Sequence, residues 1–136
     1  MQVEIKRQLT IALENYPGRL AAVSSAIAKL DINIEAISLI DNIEQGVIRL
    51  IASDPPQCKT DLVRQGFYII EADVLAVSLT NWPGQLSRLS HALATAGINI
   101  EYTYGSTVTA GDPMRLMLKV SELQRAHQIL AELEDN

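Results

Sequence analysis

Asn15-Tyr16-Pro17-Gly18-Arg19-Leu20 stands ahead of a run with helical apolar spacing, and Asn81-Trp82-Pro83-Gly84-Gln85-Leu86 repeats the pattern 66 residues later. The same offset carries Ile32-Asn33-Ile34-Glu35 onto Ile98-Asn99-Ile100-Glu101, Leu13 onto Leu79, and Arg49-Leu50 onto Arg115-Leu116. A constant offset across separated segments indicates duplication of one folded unit. Part of what recurs is apolar at helix spacing, as a core requires. The rest is Asn, Pro and Gly at turns, which packing alone does not demand.

Outward from the first copy, Gln8 to Glu14 alternates Leu9, Ile11 and Leu13 with smaller or polar residues, the pattern of a half-buried strand. Tyr16, ahead of Pro17, is biased to extended backbone, and Pro17-Gly18 marks the change to helix. Leu20, Val23, Ile27 and Leu30 follow steps of three and four, as do Leu86, Leu89, Leu93 and Ala96. This predicts one helix at the same place in each unit. Asp31 and Gly97 close these helices, Gly97 being the better stop. Ile32 to Leu39 reads as a second strand, Asp41-Asn42 begins a turn, and Gly46 to Ala52 is a third strand. Asp54-Pro55-Pro56 opens a short helix that Gly66 ends. Phe67 to Glu71 is a fourth strand, Ala72-Asp73 the whole boundary, and Val74 to Thr80 the start of the second copy.

The order β-α-β-β-α-β followed by β-α-β-β-α predicts an α+β chain of two ferredoxin-like units, paired through antiparallel sheets with the helices on one face. Residues 1–72 form the first unit and 73–136 the second. The second ends after its helix of Leu123, Ala126, Leu130 and Leu133, lacking its own C-terminal strand. Folds usually avoid a bare edge of that kind. Gln2-Val3-Glu4-Ile5, 66 residues ahead of Tyr68-Ile69-Ile70-Glu71, is expected to take that position, on the second unit or in a partner chain.

Composition narrows the function. Of 136 residues, 48% are hydrophobic and 20% charged, ordinary for a soluble globular protein. Each half is small for independent stability, which favours shared faces. A net charge of −5 argues against nucleic acid or an anionic membrane. No run of about 18 apolar residues suits a spanning helix, and Met1 to Arg7 lacks the apolar core of a signal peptide. With the lone Cys58, this points to the cytoplasm.

Catalytic patterns do not emerge. His91 and His127 fall in different units without ligand-spaced neighbours, so no metal site is expected. Gly105 and Gly111 bracket no phosphate loop, and Val47-Ile48-Arg49-Leu50-Ile51 offers no aromatic for base stacking. Tyr102 and Tyr104 alternate on one strand face and read as a surface or pocket wall. Ser24 and Ser90 lie in helices without a paired base. The chain is read as no enzyme and as requiring no cofactor.

The turn itself has chemistry. A helix start leaves backbone N–H groups free and favours negative charge. Gly18 or Gly84 lets a ligand approach that backbone, and Asn15 or Asn81 adds an amide that donates to a carboxylate or accepts from an ammonium. Such a corner suits a free α-amino acid. Capping and turn formation by Asn, Pro and Gly is the competing explanation. Asn33 and Asn99, between isoleucines at strand starts that disfavour Asn, weigh toward the first.

Asn-x-Pro-Gly-x-Leu, a helix and then Ile-Asn-Ile-Glu resemble the ACT domain, a small amino-acid-sensing regulatory module, in tandem over essentially the whole chain. The resemblance implies a non-catalytic regulatory protein that binds a free amino acid at the interface between ACT units. It further implies self-association as a homodimer and allosteric regulation of an enzyme of amino-acid metabolism. By position, the implied binding residues are Asn15, Gly18, Arg19 and Leu20 with Asn33, and Asn81, Gly84, Gln85 and Leu86 with Asn99. Leu13 and Leu79 stand where serine-binding members often carry His, which points to a more apolar contact. The alternative is an ACT-like interaction module with no ligand, acting by protein–protein association.

Overall fold

Six strands and four helices follow the order β1 (Gln2–Glu14), α1 (Arg19–Lys29), β2 (Ile34–Asn42), β3 (Gln45–Ala52), α2 (Pro55–Arg64), β4 (Tyr68–Thr80), α3 (Gln85–Thr95), β5 (Ile100–Ser106), β6 (Pro113–Val120) and α4 (Leu123–Glu132). This computed structural model describes residues 1–14, 16–42, 45–106 and 109–134. The chain divides into two compact units, Arg7–Ala72 and Met1–Lys6 with Asp73–Asn136. The first six residues therefore pack with the second half, whereas a division at residue 72 counts them with the first. β1 and β4 each run through without a break, because neither Lys6-Arg7-Gln8 nor Glu71-Ala72-Asp73 holds a turn-forming Gly or Pro.

In the unit of residues 7–72 the strand order is β2-β3-β1-β4. β1 and β3 are antiparallel, with Leu9 opposite Leu50, Ile11 opposite Ile48 and Leu13 opposite Gly46. Those side chains share one face, and Val23, Ala26 and Ile27 of α1 with Cys58 and Leu62 of α2 complete the core against it. Both helices thus cover the same side of the sheet. Asp54 caps α2 through its side chain, accepting from the Gln57 N–H at 3.2 Å, with prolines in the first turn.

In the other unit β4 lies between β1 and β6, and β5 is the far strand. Leu75, Val77 and Leu79 of β4 join Leu116, Leu118 and Val120 of β6 in a core closed by Leu89, Leu93, Ala126 and Leu130 from α3 and α4. Met1 and Val3 pack on that core, and the Met1 amino group donates to the Leu133 carbonyl. Residues 2–6 of β1 thus take beside β4 the place that the first part of β4 takes beside β1 in the other unit.

Pairing register corrects one match of the repeat. Leu9 faces Leu50 in one unit and Leu75 faces Leu118 in the other, so Leu50 corresponds to Leu118 and Arg49 to Met117. Arg49-Leu50 is not the structural counterpart of Arg115-Leu116. The offset is 66 up to β5 and 68 from β6 onward (Leu9 to Leu75, then Leu50 to Leu118). The start of β6 lies two residues farther from the start of β5 than the start of β3 does from that of β2, and that insertion shifts everything after it.

Helices α1 and α3 end alike. The Asp31 N–H donates to the Ala28 carbonyl at 3.0 Å and Ile32 to Ile27 at 3.5 Å, as Gly97 does to Ala94 and Ile98 to Leu93, both at 2.9 Å. This terminus needs a left-handed residue, and Asp31 adopts φ 55° where Gly97 has φ 74°. Asp31 also places negative charge at a helix C-terminus, the unfavourable end of the dipole. Both effects have the same sign, so Asp31→Gly is expected to stabilise the chain by about 0.5–1 kcal/mol in urea unfolding.

Candidate functional site

Gly18 begins α1 at φ 93°, a left-handed conformation that glycine adopts freely, with no side-chain cap. A Cβ built there would meet nothing within 4 Å among the described residues, which leave the helix start open on their side. Beyond it Leu13 of β1, Leu39 of β2 and Gly46 of β3 form an apolar floor. With Glu14, Tyr16 and the first turn Arg19-Leu20-Ala21 they enclose a cavity of about 170 Å³. That is small beside the roughly 300–1,000 Å³ of drug-sized sites and suits a molecule of amino-acid bulk.

The cavity carries charge at its rim. Glu14 lies at the end of β1. Arg19 packs its guanidinium 5.4 Å from the Tyr16 ring centre and 5.1 Å from that of Phe67, within cation–π range. Its Nε is buried and has no hydrogen-bond partner among the described residues. A buried donor on a cation is costly to leave unpaired, and an arriving anionic group would relieve it.

Of the residues expected from the repeat, Gly18, Arg19 and Leu20 come together here. Asn15 lies outside the described residues. Asn33 follows the other end of α1, about 16 Å away along an 11-residue helix, and is exposed. Its N–H donates to Ser53 Oγ at 3.0 Å and its carbonyl accepts from the Ser53 N–H at 2.9 Å. Asn99 and Ser121 form the same pair of bonds, both at 3.0 Å. Glu14, Tyr16, Leu39, Gly46 and Phe67 were not singled out by the repeat. Gly46 alone carried a signal, since Gly inside an apolar strand marks close approach of something to the backbone.

The second corner has the same helix start and different surroundings. Gly84 has φ 92°, but Gln85 is buried at 2% exposure. Its Oε1 accepts from Arg88 Nη1 at 3.0 Å, and its N–H donates to the Trp82 carbonyl at 3.2 Å. Asn81 donates its amide to the Thr109 carbonyl at 3.2 Å. Its backbone N–H and C=O are engaged by Asp112 and Gly111, both at 2.8 Å. The Trp82 ring lies 3.0 Å from where a Gly111 Cβ would stand. Leu86 is half exposed. A wider depression of about 510 Å³ in this unit is lined by Met1, Gln2, Ser78, Leu79, Thr80 and Pro113, and by none of Gly84, Gln85 or Leu86.

Register explains the contrast. Gly46 faces Leu13, whereas Met114 faces Leu79 at the matching point. Met114 packs on the second core, while Gly46 leaves that volume open. Leu39, opposite Ile48, corresponds in turn to Gly105, opposite Leu116. The large residue stands on the edge strand in one unit and on the neighbouring strand in the other.

Over residues 3–134 the sequence matches the family described as the ACT domain pair. The chain belongs to that family. The ACT domain pair is a regulatory module. This ACT pair is similar to protein BT0572 from Bacteroides thetaiotaomicron, at 31% identity and TM-score 0.89, over 96% of this chain and 89% of that one. It is also similar to the ligand-free regulatory subunit of aspartate kinase from Thermus thermophilus, at 17% identity and TM-score 0.70, over 97% and 96%. The corresponding subunit from Thermus flavus matches at 18% identity and TM-score 0.67, over 96% and 92%. At identities below one fifth the likeness is one of fold. No curated protein matches the chain.

Elsewhere in the ACT pair, Cys58 is buried in the first core, and burial with Asp61 and Asp54 nearby pushes its thiol up to about 11. It stays protonated at neutral pH, a core thiol rather than a nucleophile. No cluster of three metal-ligating side chains occurs among the described residues. No helix among them is long and apolar enough to cross a membrane.

Proposed function

We propose that this ACT pair is a non-catalytic regulator that binds one free α-amino acid per chain, at the corner where β1 meets α1. The observation that carries the reading is the difference between the two corners. Gly18, Arg19 and Leu20 border an open cavity, and the buried Arg19 Nε has no partner among the described residues, while Asn81, Gln85 and Met114 are engaged in the second unit's own structure. Glu14 would receive the ammonium, and the bare first turn of α1 with Arg19 would receive the carboxylate. Binding shifts a conformational equilibrium only through differential affinity. The ligand would therefore act by favouring one arrangement of units or chains, read by an enzyme of amino-acid metabolism.

Self-association would serve that mechanism. β2 is an outer strand of its sheet and exposes Ile37 and Ile40, both more than 40% accessible. Soluble proteins usually cover or charge such an edge. We infer a homodimer, in a cytoplasmic protein. The alternative, an interaction module without a ligand, requires the open corner to be incidental.

Thermal denaturation of the whole chain against the twenty amino acids tests the proposal. A ligand at about 100 times its dissociation constant should add roughly 2.7 kcal/mol of stability. Gly18→Val should abolish the shift, at a cost of about 1–2 kcal/mol for a β-branched residue at positive φ. A panel that moves nothing would favour the interaction module.

A further inference from the structure

We propose that the amino acid taken by the first corner has an aliphatic side chain, with Leu13, Leu20 and Leu39 setting that specificity. This deepens the proposed function and rests on it. The cavity has two parts of different chemistry. Its charged rim, Glu14 and Arg19, matches the ammonium and carboxylate common to every α-amino acid and discriminates among none. Its floor and walls do the choosing, and they are apolar: Leu13 on β1, Leu39 on β2, and Leu20 on the first turn of α1.

Gly46 creates the room. A Cβ there would stand 3.6 Å from Leu39 Cδ1, 3.8 Å from the Ile40 carbonyl oxygen and 4.0 Å from the Leu13 Cβ. The side chains that bound the space above this glycine are therefore hydrocarbon, from two strands. A hydroxyl or ammonium entering it would lose water without gaining a partner from those leucines, which penalises serine, threonine and lysine. Leu39 and Leu20 are respectively 53% and 41% exposed in the free chain, large apolar groups that gain burial only when something covers them. An aliphatic side chain is the complement of that surface. The acidic competitor, drawn by the Arg19 Nε, would place a second carboxylate beside the ligand's own and against Glu14, where like charge opposes it.

Isothermal titration of the intact chain with glycine, alanine, valine, leucine and isoleucine, and in parallel with serine, lysine and aspartate, decides the matter. Affinity should rise along the aliphatic series by about fourfold per added carbon, roughly sixtyfold from alanine to leucine. Leu39→Ser, at an exposed position outside the core, should flatten that slope, so that leucine is bound little more tightly than alanine. Tighter binding of serine, lysine or aspartate than of any aliphatic member would overturn the side-chain assignment and leave an amino-acid regulator standing. Heat from none of the ligands would overturn the assignment together with the proposed function.

Discussion

Removal of Met1–Lys6 is expected to lower the unfolding free energy by about 2–5 kcal/mol, the range of a large core truncation. The segment is the strand beside β4 in the unit of residues 73–136, and Met1 and Val3 lie against that unit's core. Without it, the β4 edge loses its partner and Leu133 loses the amino group that caps its carbonyl. Unpaired strand edges recruit other chains, so the truncated protein should also associate more readily. Urea unfolding followed by circular dichroism, with sedimentation velocity alongside, gives both readouts. Val3→Ala in the full chain removes packing while keeping the strand and should cost only about 1 kcal/mol. If truncation and Val3→Ala have equal effects, strand pairing contributes nothing and the structural role assigned to the segment is wrong.

Gly105→Ala should be nearly as damaging, at about 2–4 kcal/mol, although it adds one methyl group. A Cβ at this position would stand 2.4 Å from the Arg115 carbonyl oxygen, 2.8 Å from Leu116 Cδ2 and 3.2 Å from Leu116 Cα. Two of these neighbours are main chain, so no rotamer change relieves the clash and β5 must move away from β6. Gly46→Ala is the control. Its nearest neighbour is Leu39 Cδ1 at 3.6 Å, ordinary contact, and its cost should stay below about 1 kcal/mol. The same substitution would fill part of the first cavity and weaken any ligand there. Equal midpoints for the two variants would show that the β5–β6 approach is not tight.

Most elements could be read locally, because each announces itself within a few residues. Val23 and Ile27 mark one helix face, Asp54-Pro55-Pro56 a helix start, and Leu9, Ile11 and Leu13 one strand face, all as found, whereas Leu20 of the same helical stripe is exposed. Strand ends were less legible. β1 and β4 each run through 13 residues where two segments were expected, because nothing at Arg7 or at Ala72-Asp73 forces a turn. The capping explanation for Asn81 also fails, since Gly84 holds the cap position and the Asn81 amide goes to Thr109.

The site was half legible for a related reason. Gly18 and Gly84 are equivalent by sequence and by backbone, with φ 93° and 92°, and nothing in their hexapeptides says that one corner is open. That difference arises from Gly46 and Met114, which the constant offset does not align.

The amino-acid sequence alone determined the duplication, the secondary structure and the family, because these rest on periodicity, turn chemistry and short spacings along the chain. Tertiary structure alone decided where residues 1–6 pack, how β6 registers on β4, and which corner keeps a cavity. Strand partners are chosen by burial across distant segments. A cavity is a small volume left between side chains that meet only after those partners are in place.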